Sequence, residues 1–282
     1  MVPSCREKNV IMRSNEFPAT SSERIDMSKL LLILVTVFTL AACASARDLN
    51  RIGNYEVLSV RHSYTNSHII KLLNGNYVMI DAGGYEDAAK LEREIIGAGI
   101  DPRNIQAIFL SHAHWDHAAG AKYFQDIYKT RVILGEADKL LLSQGKSDTL
   151  CPTNFFAKMR LESDQQHRFD PPLVNSMVFR ATSLSDFIEG TEGVVVPVPS
   201  HTEGSLAVVI GNLAFVGDLF RGSILGSGAA IHFYICDVEK NREAIRSFLK
   251  NEAAQVEYFF PGHFGPVLKR KDVITYFFGD EL

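Results

Sequence analysis

Six positions, His112-Ala-His114-Trp-Asp116-His117, hold three of the chain's nine histidines and an aspartate. Imidazole nitrogens and carboxylate oxygens are ligands for zinc, iron and similar ions. On an extended backbone, residues two apart point to the same side, so His112 and His114 can share one ion. The chain must turn after Leu110, which carries Asp116 and His117 toward a neighbouring position. Four side chains cannot close two metal sites, so the pattern demands further ligands. Three places supply them: His201 after Pro197-Val-Pro-Ser, Asp218 after Phe215-Val-Gly, and His263 after Phe259-Phe-Pro-Gly. At each, an apolar strand stops and a ligand-type residue appears beside Gly or Pro. Alone, His263 reads as a loop histidine and Asp218 as a turn residue. Together with the histidine cluster they point to metal binding.

The elements that must position these residues follow from patterning. Val57–Val60 reads as a first strand. Residues 68–73 and 77–80 read as strands joined by Asn74-Gly75-Asn76, since Asn and Gly tolerate the positive φ of tight turns. A helix is expected over 86–98, stopped by Gly99 and Asp101-Pro102. Ile105–Leu110 is an apolar run of the kind buried on both faces, and it leads directly into the histidine cluster. Val132–Leu134 reads as a strand and 137–142 as a helix. Residues 143–186 are polar, contain Pro152 and Pro171-Pro172, and read as an excursion with some helix that forms a wall or lid over the cluster. Strands are expected at 193–198, 205–210 and 213–216, the last two joined by Gly211-Asn212. A helix over 239–250, a strand at 256–260 and a helix near 272–278 complete the chain. The expected architecture is two mixed sheets with helices outside.

With 282 residues, 46% of them hydrophobic and 22% charged, the chain has an ordinary globular composition and ample length for a core. A net charge of −4 without any basic run argues against a nucleic-acid partner. Lys29 precedes the apolar run Leu30–Leu40 and small residues follow, as in a secretory signal peptide. The run is too short to cross a bilayer as a helix. Residues 1–46 are therefore set aside as leader, with translation expected to start at Met27, and 47–282 are expected to form one domain. Of the four cysteines, Cys5 and Cys43 fall in the leader. Cys151 and Cys236 read as two separate buried thiols, with a disulfide as the alternative that an oxidising compartment permits.

Leu40-Ala-Ala-Cys43 resembles the lipobox of bacterial lipoproteins, which implies a lipidated Cys43 and a membrane-anchored protein in the periplasm. Simple cleavage after Ala44 or Ala46 is the alternative, and either way the product is exported. The spacing H-x-H-x-D-H, followed in order by His, Asp and His, resembles the metallo-β-lactamase superfamily over nearly all of residues 55–282. Asp81-Ala-Gly83 resembles that family's early motif, whose aspartate supports the metal-bearing loop. The resemblance implies an αβ/βα sandwich of the metallo-β-lactamase type with a site for two divalent ions at one edge. His112, His114 and His201 would hold the first ion; Asp116, His117 and His263 the second; Asp218 would bridge them. Zn²⁺ is the ion implied, with Fe or Mn in some members.

The activity implied is hydrolysis of a small molecule through an ester, lactone, amide or related bond, with Asp116 as the catalytic carboxylate that orients the attacking water and shuttles its proton. Asp218 weighs against a β-lactamase, since members with that activity generally place Cys or Ser there. Glyoxalase II resembles the chain in its ligands but continues into a helical domain, whereas only 19 residues follow His263 here. Acyl-homoserine lactonases typically carry a tyrosine where this chain has Arg221. An iron-dependent oxidoreductase of the same fold and a non-catalytic surface lipoprotein stand as alternatives. Four further residues are candidates for substrate contact. Arg221 suits an anionic group but reads first as a solvated loop arginine. Trp115 reads first as packing under the site. His232 and Tyr234 either line the cleft or belong to core packing. His62, His68 and His167 read as structural or surface histidines. The sequence carries no signal for oligomeric state.

Overall fold

A computed structural model describes residues 47–279, apart from 63, 225–227 and 266. The expected leader, Met27 and Cys43 lie outside the described residues, as do 280–282. Two large sheets organise the chain. The first runs in sequence order: β1 (Arg47–Ile52), β2 (Tyr55–His62), β3 (Thr65–Lys71), β4 (Tyr77–Ile80), β5 (Ile105–Phe109), β6 (Arg131–Gly135) and β7 (Ser176–Val178). Its first four strands pair antiparallel through short hairpins. From β4 onward it is parallel: α1 (Ala88–Gly97) returns the chain from β4 to β5, α2 (Trp115–Tyr128) from β5 to β6, and the long connection 136–175 from β6 to β7.

The second sheet has the order β15-β14-β11-β10-β9-β8. It is built from β8 (Thr182–Ser183), β9 (Val194–Pro197), β10 (Leu206–Ile210), β11 (Leu213–Gly217), β14 (Tyr258–Pro261) and β15 (Leu268–Lys269). The Gly211-Asn212 turn joins β10 to β11 as the sequence predicts, Gly211 taking a φ of 57°. β14 pairs parallel to β11 after the crossover helix α5 (Val238–Lys250). A ribbon of β12 (Arg221–Gly222) and β13 (Ala229–Ala230) stands apart from both sheets.

Three apolar layers show how the sheets stack. Val57, Ile70, Phe109 and Ile133 of the first sheet meet Val208, Leu213, Phe215 and Phe260 of the second, so the two sheets face each other. The first sheet's other face packs Leu58, Ile69 and Ile108 on Leu91 and Ile95 of α1 and Phe124 of α2. The second sheet's other face packs Ala214, Val216 and Phe259 on Ile245 and Phe248 of α5 and on Val273 and Phe277 of α6 (Arg270–Phe278). This is the expected αβ/βα sandwich. Burying each such Phe or Ile contributes roughly 2–3 kcal/mol relative to leaving it exposed.

Several elements depart from the sequence reading. β1 precedes the strand expected to be first, and its hairpin turns at Gly53, where φ is 57°. The helix expected over 137–142 is a 3₁₀ turn, Glu136–Asp138, running into the short α3 (Lys139–Ser143). The excursion at 143–186 contains α4 (Phe155–Gln166) and supplies β7 and β8, the edge strands of the two sheets. Cys151 and Cys236 form a disulfide with Cα atoms 4.7 Å apart, which corrects the expectation of two separate thiols. The fold brings together two cysteines separated by 85 positions, a juxtaposition sequence distance could not reveal. Among the described residues no helix is long and apolar enough to cross a membrane.

Candidate metal centre

The ligand-type residues lie where strands of both sheets end. After β5 the chain bends through Ser111–Ala113, and α2 begins at Trp115. His112 and His114 therefore sit on a bent loop rather than an extended strand, with ring centroids 4.6 Å apart. Asp116 and His117 occupy the first helical turn, where the positive end of the helix dipole favours a carboxylate. His201 follows β9, Asp218 follows β11 and His263 follows β14. The described residues that could together hold a metal form four overlapping groups: His112, His114 and His201; His112, His117 and Asp218; Asp116, His117 and His263; and His201, Asp218 and His232. All seven residues expected as ligands thus converge, joined by His232, which the sequence reading left between the cleft lining and core packing.

Polar groups around the cluster orient its imidazoles. Asp81, in the left-handed region at φ 57°, accepts from the Ser111 backbone N–H and hydroxyl, each at 2.7 Å, and from His117 Nδ1 at 2.8 Å. Because the Ser111 proton is committed to Asp81, its oxygen accepts from His112 Nδ1 at 3.0 Å. His201 Nδ1 donates to the Tyr234 carbonyl at 2.8 Å and His263 Nδ1 to the Tyr64 carbonyl at 2.9 Å. His114 is held by its other nitrogen, Nε2 donating to Asp148 at 2.8 Å. Each of these five rings donates outward and presents its second nitrogen inward. Asp138, which the sequence reading passed over, ties two loops together: it accepts from the backbone N–H groups of Ala113 (3.0 Å) and Gly204 (2.8 Å) and from the Thr202 hydroxyl (2.8 Å).

Inward-facing nitrogens so close together need positive charge between them. His201 Nε2 lies 2.9 Å from His114 Nδ1, and His117 Nε2 lies 3.2 Å from His263 Nε2. His112 Nε2 and Asp218 Oδ1 are buried without a hydrogen-bond partner. Burial lowers His112 well below its ordinary pKa and His201 to about 4, so both present lone pairs. Burial opposes charge on His117 and His263 as well, but Asp218 and Asp116, with Asp81 beside His117, outweigh it and raise both. Asp218 is likewise penalised by burial, yet His117, His232 and His263 hold it well below the usual carboxylate range. Unpartnered buried atoms, opposed lone pairs and carboxylates that draw cations are a donor set that fits divalent ions.

Close packing permits this convergence. A Cβ built at Gly262 would fall 2.5 Å from Asp218 Oδ1 and 2.6 Å from His117 Cε1. A Cβ at Gly120 would fall 2.0 Å from the Ala82 carbonyl, so glycine lets α2 lie directly on the Asp81 loop.

Beside the cluster opens a cavity of about 730 Å³. Trp115, His232 and Tyr234 line it, together with Leu150, Phe156 and Phe233. Trp115 is therefore a wall residue, not packing beneath the site; its ring stacks on His167 at 3.9 Å. Arg221 fits neither sequence reading. It is 8% exposed, its guanidinium lies 4.3 Å over the Phe233 ring, and it does not line the cavity. The aromatic pair Phe233 and Phe264 draws it behind the wall. His62 and His68 are buried, bonded to Ser67 and to Ser59 respectively.

A two-sheet αβ/βα sandwich with a histidine and aspartate cluster at the strand ends defines the class. The sequence profile of the metallo-beta-lactamase superfamily matches residues 60–263, and the chain belongs to that superfamily. No curated protein matches the sequence. Among solved structures, the chain is similar to the metallo-beta-lactamase SMB-1 in complex with mercaptoacetic acid (18% identity, 78% of this chain and 81% of that chain, TM-score 0.55). It is also similar to the HARLDQ-motif metallo-beta-lactamase of Cronobacter sakazakii (23% identity, 73% and 74% covered, TM-score 0.54). A third is MIM-1 of Novosphingobium pentaromativorans (18% identity, 73% of each chain covered, TM-score 0.51). At these identities the likeness speaks for the fold.

Proposed function

We propose that the protein is a binuclear metallohydrolase that cleaves an ester, lactone, amide or related bond of a small molecule. The observation that carries this reading is the inward convergence of His112, His114 and His201 on one side and Asp116, His117 and His263 on the other, with Asp218 between. Oδ2 of Asp218 lies 3.7 Å from His112 Nε2, 3.5 Å from His201 Nε2, 3.4 Å from His117 Nε2 and 3.2 Å from His263 Nε2. The first triad would hold one ion and the second another, with Asp218 shared. Zn²⁺ suits a set of five imidazoles and two carboxylates. When bound, such ions supply Lewis acidity and lower the pKa of water into the neutral range.

The chain's own residues account for the proton and the frame. Asp116 is the most exposed of the seven, 25% at its side chain against 7% for His263 and 2% for Asp218. It faces the cavity, and its Oδ2 can receive the proton of the attacking water. As the water oxygen bonds to the acyl carbon and the acyl–heteroatom bond breaks, Asp116 returns that proton to the leaving group. Asp81, Asp138 and Asp148 hold the loops and rings rigid throughout.

The test is a panel of aryl esters, lactones, phosphodiesters and nitrocefin, with metal content measured on the same sample. Turnover that is lost on chelation and restored by Zn²⁺, with two ions per chain, is expected. A β-lactamase is the second reading, favoured by the names of the structural neighbours; rapid nitrocefin turnover would establish it. We also propose export to the periplasm with a lipid anchor on Cys43. The Cys151–Cys236 bond supports the export, since such bonds persist in oxidising compartments.

A further inference from the structure

The cavity beside the metal centre has a chemical character of its own. Tyr64, Trp115, Leu150, Phe156, Phe233 and Phe264 form a wall of aromatic and aliphatic surface. Three of these side chains join into a continuous face. The Tyr64 ring lies 6.4 Å from that of Phe264, which lies 5.7 Å from that of Phe233. Phe156 stands 61% exposed on α4, so this surface reaches the mouth of the cavity. Exposed aromatic surface rimming a site is a mark of ligand recognition.

Charge in the lining is equally specific. Among the described residues, Arg160 is the one lysine or arginine that lines the cavity, against the carboxylates of Asp87, Asp116, Asp164 and Asp218. Arg160 is already committed: its Nη2 lies 2.8 Å from Asp164 Oδ1 and its Nε 3.3 Å from Asp164 Oδ2. The Tyr234 hydroxyl donates to the same carboxylate at 2.7 Å and completes the set. Arg221 is turned away behind Phe233. Beyond the ions themselves, the described residues of the cavity offer no free lysine or arginine to a substrate carboxylate, and an anion there would be desolvated without a partner.

We propose that the substrate is an uncharged ester or lactone whose acyl arm is apolar and lies along the Tyr64–Phe264–Phe233 face with Phe156 over it, and that a carboxylate on the arm is rejected. This rests on the metallohydrolase reading and narrows its substrate class. The arm is held by apolar burial, so affinity grows with its length, while a charge on it costs more than the burial returns.

The experiment uses the zinc-loaded full chain and two readouts. In the first, octanamide and its ω-carboxylate counterpart, suberic acid monoamide, are titrated while the fluorescence of Trp115, the chain's single tryptophan, is followed. Octanamide is expected to bind at least tenfold more tightly, and Phe156→Ala and Phe233→Ala to weaken it severalfold. In the second, kcat/KM is measured for p-nitrophenyl acetate, octanoate and monosuberate. It is expected to rise at least tenfold from acetate to octanoate and to fall at least tenfold for the monosuberate. Equal binding of the two amides, or octanamide binding indifferent to both substitutions, overturns the inference whether or not any ester turns over. Turnover that ignores chain length, or prefers the monosuberate, overturns it while leaving the hydrolase standing. Discrimination between the amides without any hydrolysis sustains the cavity's selectivity and sinks the hydrolase reading alone.

Discussion

Nε2 of His232 lies 3.0 Å from Oδ2 of Asp218, closer than any of the four other imidazoles that approach that oxygen. His232 Nδ1 lies 3.2 Å from the Tyr234 backbone nitrogen and 3.3 Å from its carbonyl oxygen, contacts that hold the ring with Nε2 facing Asp218. Burial lowers its pKa well below the ordinary value and keeps the ring neutral. His232 thus acts as a positioning residue that fixes the shared carboxylate. His232→Ala is expected to lower kcat/KM on the order of tenfold or more while two ions per chain are retained. His232→Gln, whose amide keeps a polar group of similar reach beside Asp218, is expected to recover part of the loss. Steady-state kinetics with metal analysis on each variant check both outcomes; loss of one ion from His232→Ala would instead make it a ligand.

The disulfide fastens the cavity wall to the loop that carries His232. Near it, the Thr153 backbone N–H donates to the Phe233 carbonyl at 2.8 Å, and the Tyr234 hydroxyl bonds Asp164 of α4. Cys151→Ser together with Cys236→Ser is expected to cost about 2–4 kcal/mol, because the bond closes a loop of 85 residues in the unfolded chain. Urea unfolding of the oxidised protein and the double variant measures this. The KM for bulky substrates should rise more than that for acetyl esters.

Removing the ions leaves the inward lone pairs and carboxylates without their counter-charge. Chelation is expected to abolish turnover and to lower the melting temperature, with both restored by Zn²⁺ but not by Mg²⁺, which prefers an all-oxygen shell. Differential scanning calorimetry with and without added metal checks it.

Gly262→Ala places a methyl group against Asp218 and His117. Neither can retreat, since His117 is fixed to Asp81 and Asp218 lies among the imidazoles. The substitution is expected to reduce metal occupancy severalfold, with an overpacking cost on the order of 1–3 kcal/mol, read by metal analysis and unfolding.

Acid weakens the fold through His62 and His68 on the β2–β3 hairpin. Burial lowers each to about 4 from an ordinary value of 6.5. Between those values the unfolded chain binds protons that the folded one refuses, so stability is fully present above about pH 6.5 and falls as pH drops toward 4. His68→Gln is expected to flatten that slope, as shown by denaturant unfolding at stepped pH.

Much of this arrangement was readable before any coordinates. The apolar runs ending in His112, His201, Asp218 and His263 announce their strands, because a strand buried on both faces has few polar residues until it leaves the sheet. Asn-Gly and Gly-Asn place the two hairpins they predict. Asp138 and Asp148 gave no such signal. They act on residues distant in sequence, and an aspartate in a polar stretch looks the same whether it holds a remote loop or ring or is merely solvated. Arg221 was misread for a related reason, since its surroundings are supplied by Phe233 and Phe264 rather than by its own neighbours. The Cys151–Cys236 pairing depends likewise on where the excursion at 143–186 is anchored.

The candidate metal centre also draws on both halves of the sandwich. His112, His114, Asp116 and His117 belong to the half built on the first sheet, and His201, Asp218 and His263 to the half built on the second. Elsewhere the two halves meet mainly through a greasy seam that any well-shaped apolar pair could make. Ions held by donors from both sides would act as rivets at one rim of that seam, so that neither half could peel away without surrendering its share of the cargo.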